Sequence, residues 1–228
     1  MILGNVCTRG CYFCAVNKGC PSVVSVDEPL QVAEAIAELK LKHAVITSVT
    51  RDDLSDGGAA HFALVVREIR RLSPLTTVEI LTPDFNGDLS VLNKFENDLP
   101  DIFNHNLETV PRLYNIRPKA EYGRSLNLLE SFKKRFPSVM TKSGLMVGLG
   151  EAPSEIEKVM IDLRNVDCGI LSIGQYLSPG LNHAPVIEYV KPEQFDEYAA
   201  IAKRLGFKAV FSGPFVRSSY LASYENVT

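Results

Sequence analysis

Thr141-Lys-Ser-Gly-Leu-Met-Val-Gly148, then Pro153-Ser-Glu-Ile156 through Leu163, then Gly169-Ile-Leu-Ser-Ile-Gly-Gln-Tyr176 is the stretch that decides the fold. The outer two segments are short β-prone runs of strand length. Between them Ile156, Val159, Met160 and Leu163 recur at i, i+3, i+4 and i+7 behind Pro153 and Ser154, which is the apolar stripe of a helix. Strand, helix and strand in this order make a βαβ unit, and such units build a parallel sheet. The same alternation extends both ways. Further strands are expected at Ile2–Val6, His43–Val49, Thr77–Thr82, Ile102–Leu107 and Lys208–Ser212. Helical stripes run through Val32, Ile36 and Leu39 behind Pro29, and through Tyr122, Leu126, Leu129 and Phe132. Another links Phe195, Ala199, Ala202 and Leu205 between Pro192 and Gly206. Seven strands crowd a typical open doubly wound sheet and fall short of an eightfold barrel. The expectation is an α/β fold, a partial (β/α)6-type TIM barrel, with residues 1–228 as one domain.

The composition suits that fold and removes other classes. Hydrophobic residues make up 46% and charged residues 22%, at a mean hydropathy of +0.03, enough to bury a sizeable core. A net charge of −3 argues against nucleic acid as a partner. No apolar run approaches the roughly 18 residues of a membrane span. The N-terminal Met1-Ile-Leu-Gly-Asn-Val has no basic segment before an apolar one, nor the Arg- and Ser-rich character of a transit peptide. Five cysteines is an odd number, and three fall within eight residues. Clustered thiols in a reducing compartment read as metal ligands rather than disulfides, which places the chain in the cytoplasm, or an organelle matrix in a eukaryote.

Ligand sites in parallel α/β folds gather where strands end and βα loops begin. Polar residues collect there in this sequence: Cys7, Ser48 to Asp53, Thr82-Pro83-Asp84, Asn104 to Glu108, Gly148 to Glu151, and Gln175-Tyr176. The most specific of these signals is Cys7-Thr-Arg-Gly-Cys11-Tyr-Phe-Cys14. Random placement of five cysteines would give this spacing with a probability on the order of 0.002. Three thiolates in one loop can hold three corners of a [4Fe–4S] cubane and leave the fourth iron open to a small molecule. A zinc knot completed by Cys20 is the alternative, although zinc thiolate sites usually come as two separated pairs.

A Cys-x3-Cys-x2-Cys loop with an aromatic, Phe13, before its third cysteine resembles the radical SAM superfamily. Within it the chain is similar to the lipoyl synthases along nearly its whole length. The similar stretches include Met1 to Gly4, Lys42 to Val49, Arg51 to Leu54, Glu79 to Phe85, Phe103 to Val110, Thr141 to Glu151, Ile173 to Leu177 and Arg217-Ser-Ser-Tyr220. The resemblance implies that Cys7, Cys11 and Cys14 hold the cluster and that S-adenosylmethionine binds its open iron. Reductive cleavage would then give a 5′-deoxyadenosyl radical, and sulfur would enter at C6 and C8 of an octanoyl group. It further implies a second, auxiliary [4Fe–4S] cluster as sulfur donor, with Ser219 as a ligand. Partners would be an octanoylated lipoyl carrier domain, of a 2-oxoacid dehydrogenase E2 or glycine cleavage H protein, and a ferredoxin- or flavodoxin-type reductant.

The second cluster's cysteines in the family precede the Met1-Ile-Leu-Gly stretch, and Cys20 and Cys168 are not placed to replace them. The expectation is therefore an N-terminally truncated chain that cleaves S-adenosylmethionine but makes no lipoyl product unaided. A biotin synthase-like sulfur inserter is the alternative enzyme, and Arg217 to Tyr220 argues against it. Ser48, Asn106, Glu108 and Lys142 lie near strand ends and could bind the cofactor's polar parts together with Phe13, or serve as interior hydrogen-bond partners. Asp52, Asp53 and Asp56 read as structural loop residues rather than catalytic acids, with Asp56-Gly57-Gly58 as a turn and helix cap. His105 and His183 lack a second histidine at ligand spacing. Lys133-Lys-Arg135 reads as a solvated helix face, with carrier docking as the sharper alternative.

Overall fold

The computed structural model describes residues 1–217. Its frame is a sheet of six parallel strands: β3 (His43–Thr47), β4 (Thr77–Leu81), β5 (Ile102–Asn104), β6 (Met140–Val147), β7 (Ile170–Gln175) and β8 (Ala209–Gly213), each paired with the next in chain order. Among the described residues β3 and β8 do not pair, so the barrel is partial and open. The expected (β/α)6-type TIM barrel is the fold observed.

One expected strand is missing. Leu3 (φ +66°) and Gly4 (φ +89°) leave extended space, so Ile2–Val6 cannot run as a strand. Ile2 makes a single parallel bridge to Ser48, its N–H bonding the Thr47 carbonyl at 2.8 Å. Only β1 (Val6–Cys7) remains, paired in parallel with β2 (Asn17–Lys18) as a small separate ribbon. That ribbon carries the cysteine loop between its strands.

Five α-helices connect the frame: α1 (Glu28–Glu38), α2 (Ala59–Leu72), α3 (Tyr122–Arg135), α4 (Pro153–Asn165) and α5 (Pro192–Arg204). Prolines stand in the first turn of α1, α4 and α5, where no intrahelical N–H is lost. At the start of α2, Asp56 accepts the Gly58 and Ala60 N–H groups at 2.9 Å, so the turn-and-cap reading holds. Gly58 is required there twice. Its φ of +91° suits glycine, and a Cβ would stand 2.4 Å from the Leu3 side chain.

The core lies between the helices and the sheet. Phe62, Val65, Val66 and Ile69 of α2 are fully buried, as are Ile156, Val159, Met160 and Leu163 of α4. Phe132 of α3 stacks on Phe103 of β5 at 3.7 Å between ring centroids, and Phe95 meets both edge-on at 6.1 Å. Inside the barrel the strands turn polar groups toward one another. Glu79 is held by Asn104 at 2.7 Å and by Lys142 at 2.9 Å, all three completely buried. Among the described residues no helix is long and apolar enough to cross a membrane.

Candidate functional site

The cysteine loop is laid over the C-terminal ends of the sheet strands by its own backbone and by one arginine. Thr8 N–H bonds the Thr50 carbonyl at 3.0 Å, and the Thr8 hydroxyl accepts Asp52 N–H at 3.0 Å. Tyr12 N–H bonds the Ile116 carbonyl at 2.8 Å, and the Tyr12 carbonyl accepts Ala184 N–H at 2.7 Å. Arg9, between the first two cysteines, is buried. Its Nε and Nη2 reach the two Asp52 oxygens at 2.8 Å each, and Nη2 also reaches Asp84 at 2.6 Å. Asp52 follows β3 and Asp84 follows β4, so one guanidinium ties the loop to two strand ends. The paired charges hold the Asp84 carboxyl below the usual carboxylate range despite burial.

Cys7, Cys11 and Cys14 are half-buried free thiols on this loop. They line a cavity of about 280 Å³ together with Arg9, Phe13, Ser48, Asn106, Glu108 and Arg117. Phe13, Leu81, Asn106 and Glu108 also line a second cavity of about 310 Å³, which runs along β6 and β7 past Gly144, Leu145, Met146 and Ser172 to Val216 and Arg217. The shared wall makes the two one continuous cleft across the barrel mouth.

Four of the expected binding residues therefore meet: Phe13, Asn106 and Glu108 face both cavities and Ser48 faces the first. Lys142 stands apart. It lines neither cavity, and its ammonium is engaged by Glu79 inside the barrel. Glu108 sits at φ +67°, held by its N–H to the Gly144 carbonyl at 2.9 Å and by Met146 N–H to its own carbonyl at 2.8 Å. Burial raises its carboxyl above the ordinary range, against the pull of the nearby Arg117 cation. Gly144 keeps this corner open, because a Cβ there would come within 2.8 Å of Asn106 Oδ1. In the Gly148–Gly150 loop the amides of Gly148 and Leu149 are already taken by the Glu151 carboxylate, at 2.6 and 2.9 Å. Glycine there serves the turn.

The residues fit an iron–sulfur cluster with a small polar ligand. The donor set is three thiols on one loop, and Arg9 N–H points at Cys7 Sγ at 3.4 Å. Among the described residues no three His, Cys, Asp or Glu side chains converge on a single ion. A cubane asks for something else, since each cysteine binds a different iron. Burial pushes the Cys11 thiol up to about 11 and raises that of Cys14, so cluster assembly must release these protons. The buried Ser48 hydroxyl and Arg117 Nε have no hydrogen-bond partner in the chain, which leaves polar valences for a ligand.

The remaining candidates stay out of the cleft chemistry. His105 is buried between the Thr82 carbonyl (2.9 Å) and the Ser125 hydroxyl (3.0 Å), and burial lowers it to about 4, so it is a neutral wall residue. Cys168 is buried at the other end of the sheet, its thiol near the carbonyls of Thr141 and Ile170. His183 is on an exposed loop turn. Lys133 caps the Pro137 and Val139 carbonyls, while Lys134 and Arg135 pair with Glu130 and Glu96, as a solvated face does. Ser219 and Tyr220 lie outside the described residues. Asp84 was read only as one of the polar residues at a strand end, and Arg9 and Arg117 were not singled out from sequence. A charged residue between two cysteines was a usable signal for Arg9; nothing marked Arg117.

The Radical SAM superfamily profile matches residues 1–163. A curated lipoyl synthase of Caldanaerobacter subterraneus is 56% identical over 97% of this chain and 78% of its own length. That of Caldicellulosiruptor saccharolyticus is 55% identical over the same shares. Among solved structures, methylornithine synthase superposes with a TM-score of 0.63 at 13% identity, over 99% of this chain and 74% of the other. That likeness concerns the fold alone.

Proposed function

This chain belongs to the lipoyl synthases of the radical SAM superfamily, and on that premise we propose that Cys7, Cys11 and Cys14 are the ligands of its [4Fe–4S] cluster. The enzyme is a radical SAM sulfurtransferase that inserts sulfur at C6 and C8 of a protein-bound octanoyl group. When bound, the cluster and S-adenosylmethionine supply the carbon radical that removes hydrogen from unactivated C–H bonds. The chain's own residues do the rest. Arg9 holds the cluster loop against the ends of β3 and β4. Ser48, Asn106 and Glu108 receive the cofactor's polar groups. Phe13, Leu81, Leu145 and Met146 exclude water from the joined cavities and receive the acyl chain.

What carries this reading is the placement of three thiols of one short loop at the head of a cleft that continues along β6 and β7. The same reading makes residues 1–228 one radical SAM core and gives Ser219 to a second, sulfur-donating cluster. It takes an octanoylated lipoyl carrier domain of an E2 or H protein as substrate and a ferredoxin- or flavodoxin-type protein as reductant, in the cytoplasm.

Anaerobic reconstitution with iron and sulfide tests it. The expected outcome is a 4Fe cluster whose EPR signal shifts on adding S-adenosylmethionine, with 5′-deoxyadenosine formed on reduction. Alanine at Cys7, Cys11 or Cys14 should abolish both. Bound zinc with no 5′-deoxyadenosine from the wild-type chain would overturn it.

A further inference from the structure

Behind the cysteine cavity runs a hydrogen-bonded relay that the cluster chemistry does not use. It starts on one wall of the cavity at Arg117, whose Nη1 donates to the Tyr114 hydroxyl at 2.6 Å. It continues from Tyr114 to the Ser125 hydroxyl at 3.1 Å and from Ser125 to His105 Nε2 at 3.0 Å. It ends where His105 Nδ1 meets the Thr82 carbonyl at 2.9 Å, and His105 and Thr82 line the cavity again. Tyr114 and Ser125 are buried behind the wall and line neither cavity of the cleft.

The direction of every proton in this relay is fixed from both ends. A guanidinium only donates, so the Tyr114 oxygen accepts and its own proton goes to Ser125. The Thr82 carbonyl only accepts, so His105 carries its proton on Nδ1. Burial lowers His105 to about 4 and keeps it neutral, so Nε2 is bare and accepts from Ser125. No member can turn round without leaving a buried neighbour unpaired. Ser125 stands in the first turn of α3, the helix whose Phe132 is stacked on Phe103 of β5. Arg117 only follows the short 3-10 turn Pro111–Ile116, and its remaining side-chain bonds reach the Asn106 and Leu107 carbonyls at 3.2 and 3.0 Å. Through the relay its guanidinium is tied to a packed helix of the frame. We propose that Ser125 is a positioning residue of the cofactor cleft, which together with Tyr114 and His105 sets where the Arg117 guanidinium stands. This rests on the cleft being the S-adenosylmethionine site, and it extends that site to a helix residue that touches no ligand. The relay does this whichever polar group of the cofactor Arg117 meets.

The test is calorimetric titration with S-adenosylmethionine of the anaerobically reconstituted chain, at matched iron content, as wild type, S125A, R117M and S125A/R117M. S125A removes a hydroxyl and takes nothing from the cavity wall. It should lower wild-type affinity by about threefold to tenfold, the range of one hydrogen bond. In the R117M background it should leave affinity unchanged within about twofold, because its effect passes through the guanidinium. Y114F, which keeps the ring under the guanidinium and loses the hydroxyl, should reproduce that pattern and takes the place of S125A if S125A fails to fold. A loss of equal size in both backgrounds would make Ser125 a support of the fold alone and overturns the inference. So does an affinity equal to wild type in S125A or in R117M. Failure of the wild-type chain to bind S-adenosylmethionine would overturn the radical SAM reading itself. Wild-type binding with equal losses in both backgrounds would overturn this inference alone.

Discussion

Replacing Arg9 by methionine removes the anchor of the cysteine loop while keeping much of its apolar stem. Three charge-assisted hydrogen bonds disappear, two to Asp52 at 2.8 Å and one to Asp84 at 2.6 Å. The losses are unequal. The Asp52 side chain is 18% exposed and can turn to water, whereas that of Asp84 is 1% exposed. Asp84 keeps a long contact to Arg124 at 3.4 Å and the Asn86 N–H at 3.1 Å. Breaking a buried pair by removing one partner costs about 3–5 kcal/mol, and these residual contacts place R9M near 3 kcal/mol. For a chain of this size that is a fall of roughly 6–12 °C in Tm. Equilibrium urea unfolding of R9M, D84N and the double variant reads the pair itself. The double variant should be about 2 kcal/mol more stable than the sum of the single losses requires, because D84N removes the charge that R9M strands. Additivity within about 0.5 kcal/mol, or an R9M loss below about 1 kcal/mol, would refute the reasoning.

The other outcomes follow from the same contacts. His105 is lowered by burial to about 4 and titrates near 6.5 when unfolded, so its contribution is complete above pH 6.5 and lost as pH falls toward 4. The stability gap between the wild-type chain and H105Q should therefore narrow by about 2 kcal/mol between pH 7.5 and pH 5, and parallel pH curves would exclude it. K142M should cost about 3–5 kcal/mol by stranding Glu79, and K142M/E79Q should recover part of it with unaltered affinity for S-adenosylmethionine; a selective loss of that affinity in the double variant would return Lys142 to the cofactor site. G144A forces Asn106 or Ser172 to move, since its Cβ would lie within 2.9 Å of both side chains. It should weaken S-adenosylmethionine binding without changing iron content, as measured by titration and metal analysis.

The frame was legible because strands and helices announce themselves by period: four of the six sheet strands fall inside expected segments, and β6 and β8 overrun theirs by one residue each, at Met140 and Gly213. The departures have local causes. Ile2–Val6 reads as a strand by composition, yet the chain must cross from its bridge at Ser48, just past β3, to the ribbon, and Leu3 and Gly4 take left-handed backbone to do it. The expected strand Ile102–Leu107 stops at Asn104, where the backbone leaves the sheet toward the left-handed turn at Glu108. Helix α2 carries Phe62, Val65, Val66 and Ile69 at the spacing that marks a helix, a pattern present in the sequence but not singled out. The cysteine triplet, Phe13, Ser48, Asn106 and Glu108 could be placed because strand ends carry ligands in such folds. Lys142 does not meet that criterion: it lies near the start of β6, away from the end where ligands gather, and is turned inward onto Glu79. Its partner Glu79 lies 63 positions away.

The contrast between the two arginines ties the fold to the chemistry. Arg9, Asp52, Asp84, Arg124 and Glu121 form a connected set in which both cations are fully paired with carboxylates. An anchor whose arginine is already paired can hold the loop without offering a free cation to what binds there. Had the loop been tied down by an unpaired arginine, the anchor itself would draw anions, and loop geometry would vary with the ligand. Separating the tasks leaves one open cation in the cavity, at Arg117. Its neighbours are carbonyl dipoles, a tyrosine and Glu108, whose carboxyl burial raises above its ordinary range. The cavity along β6 and β7 offers the apolar surface of Leu145 and Met146, with Arg217 at its far end.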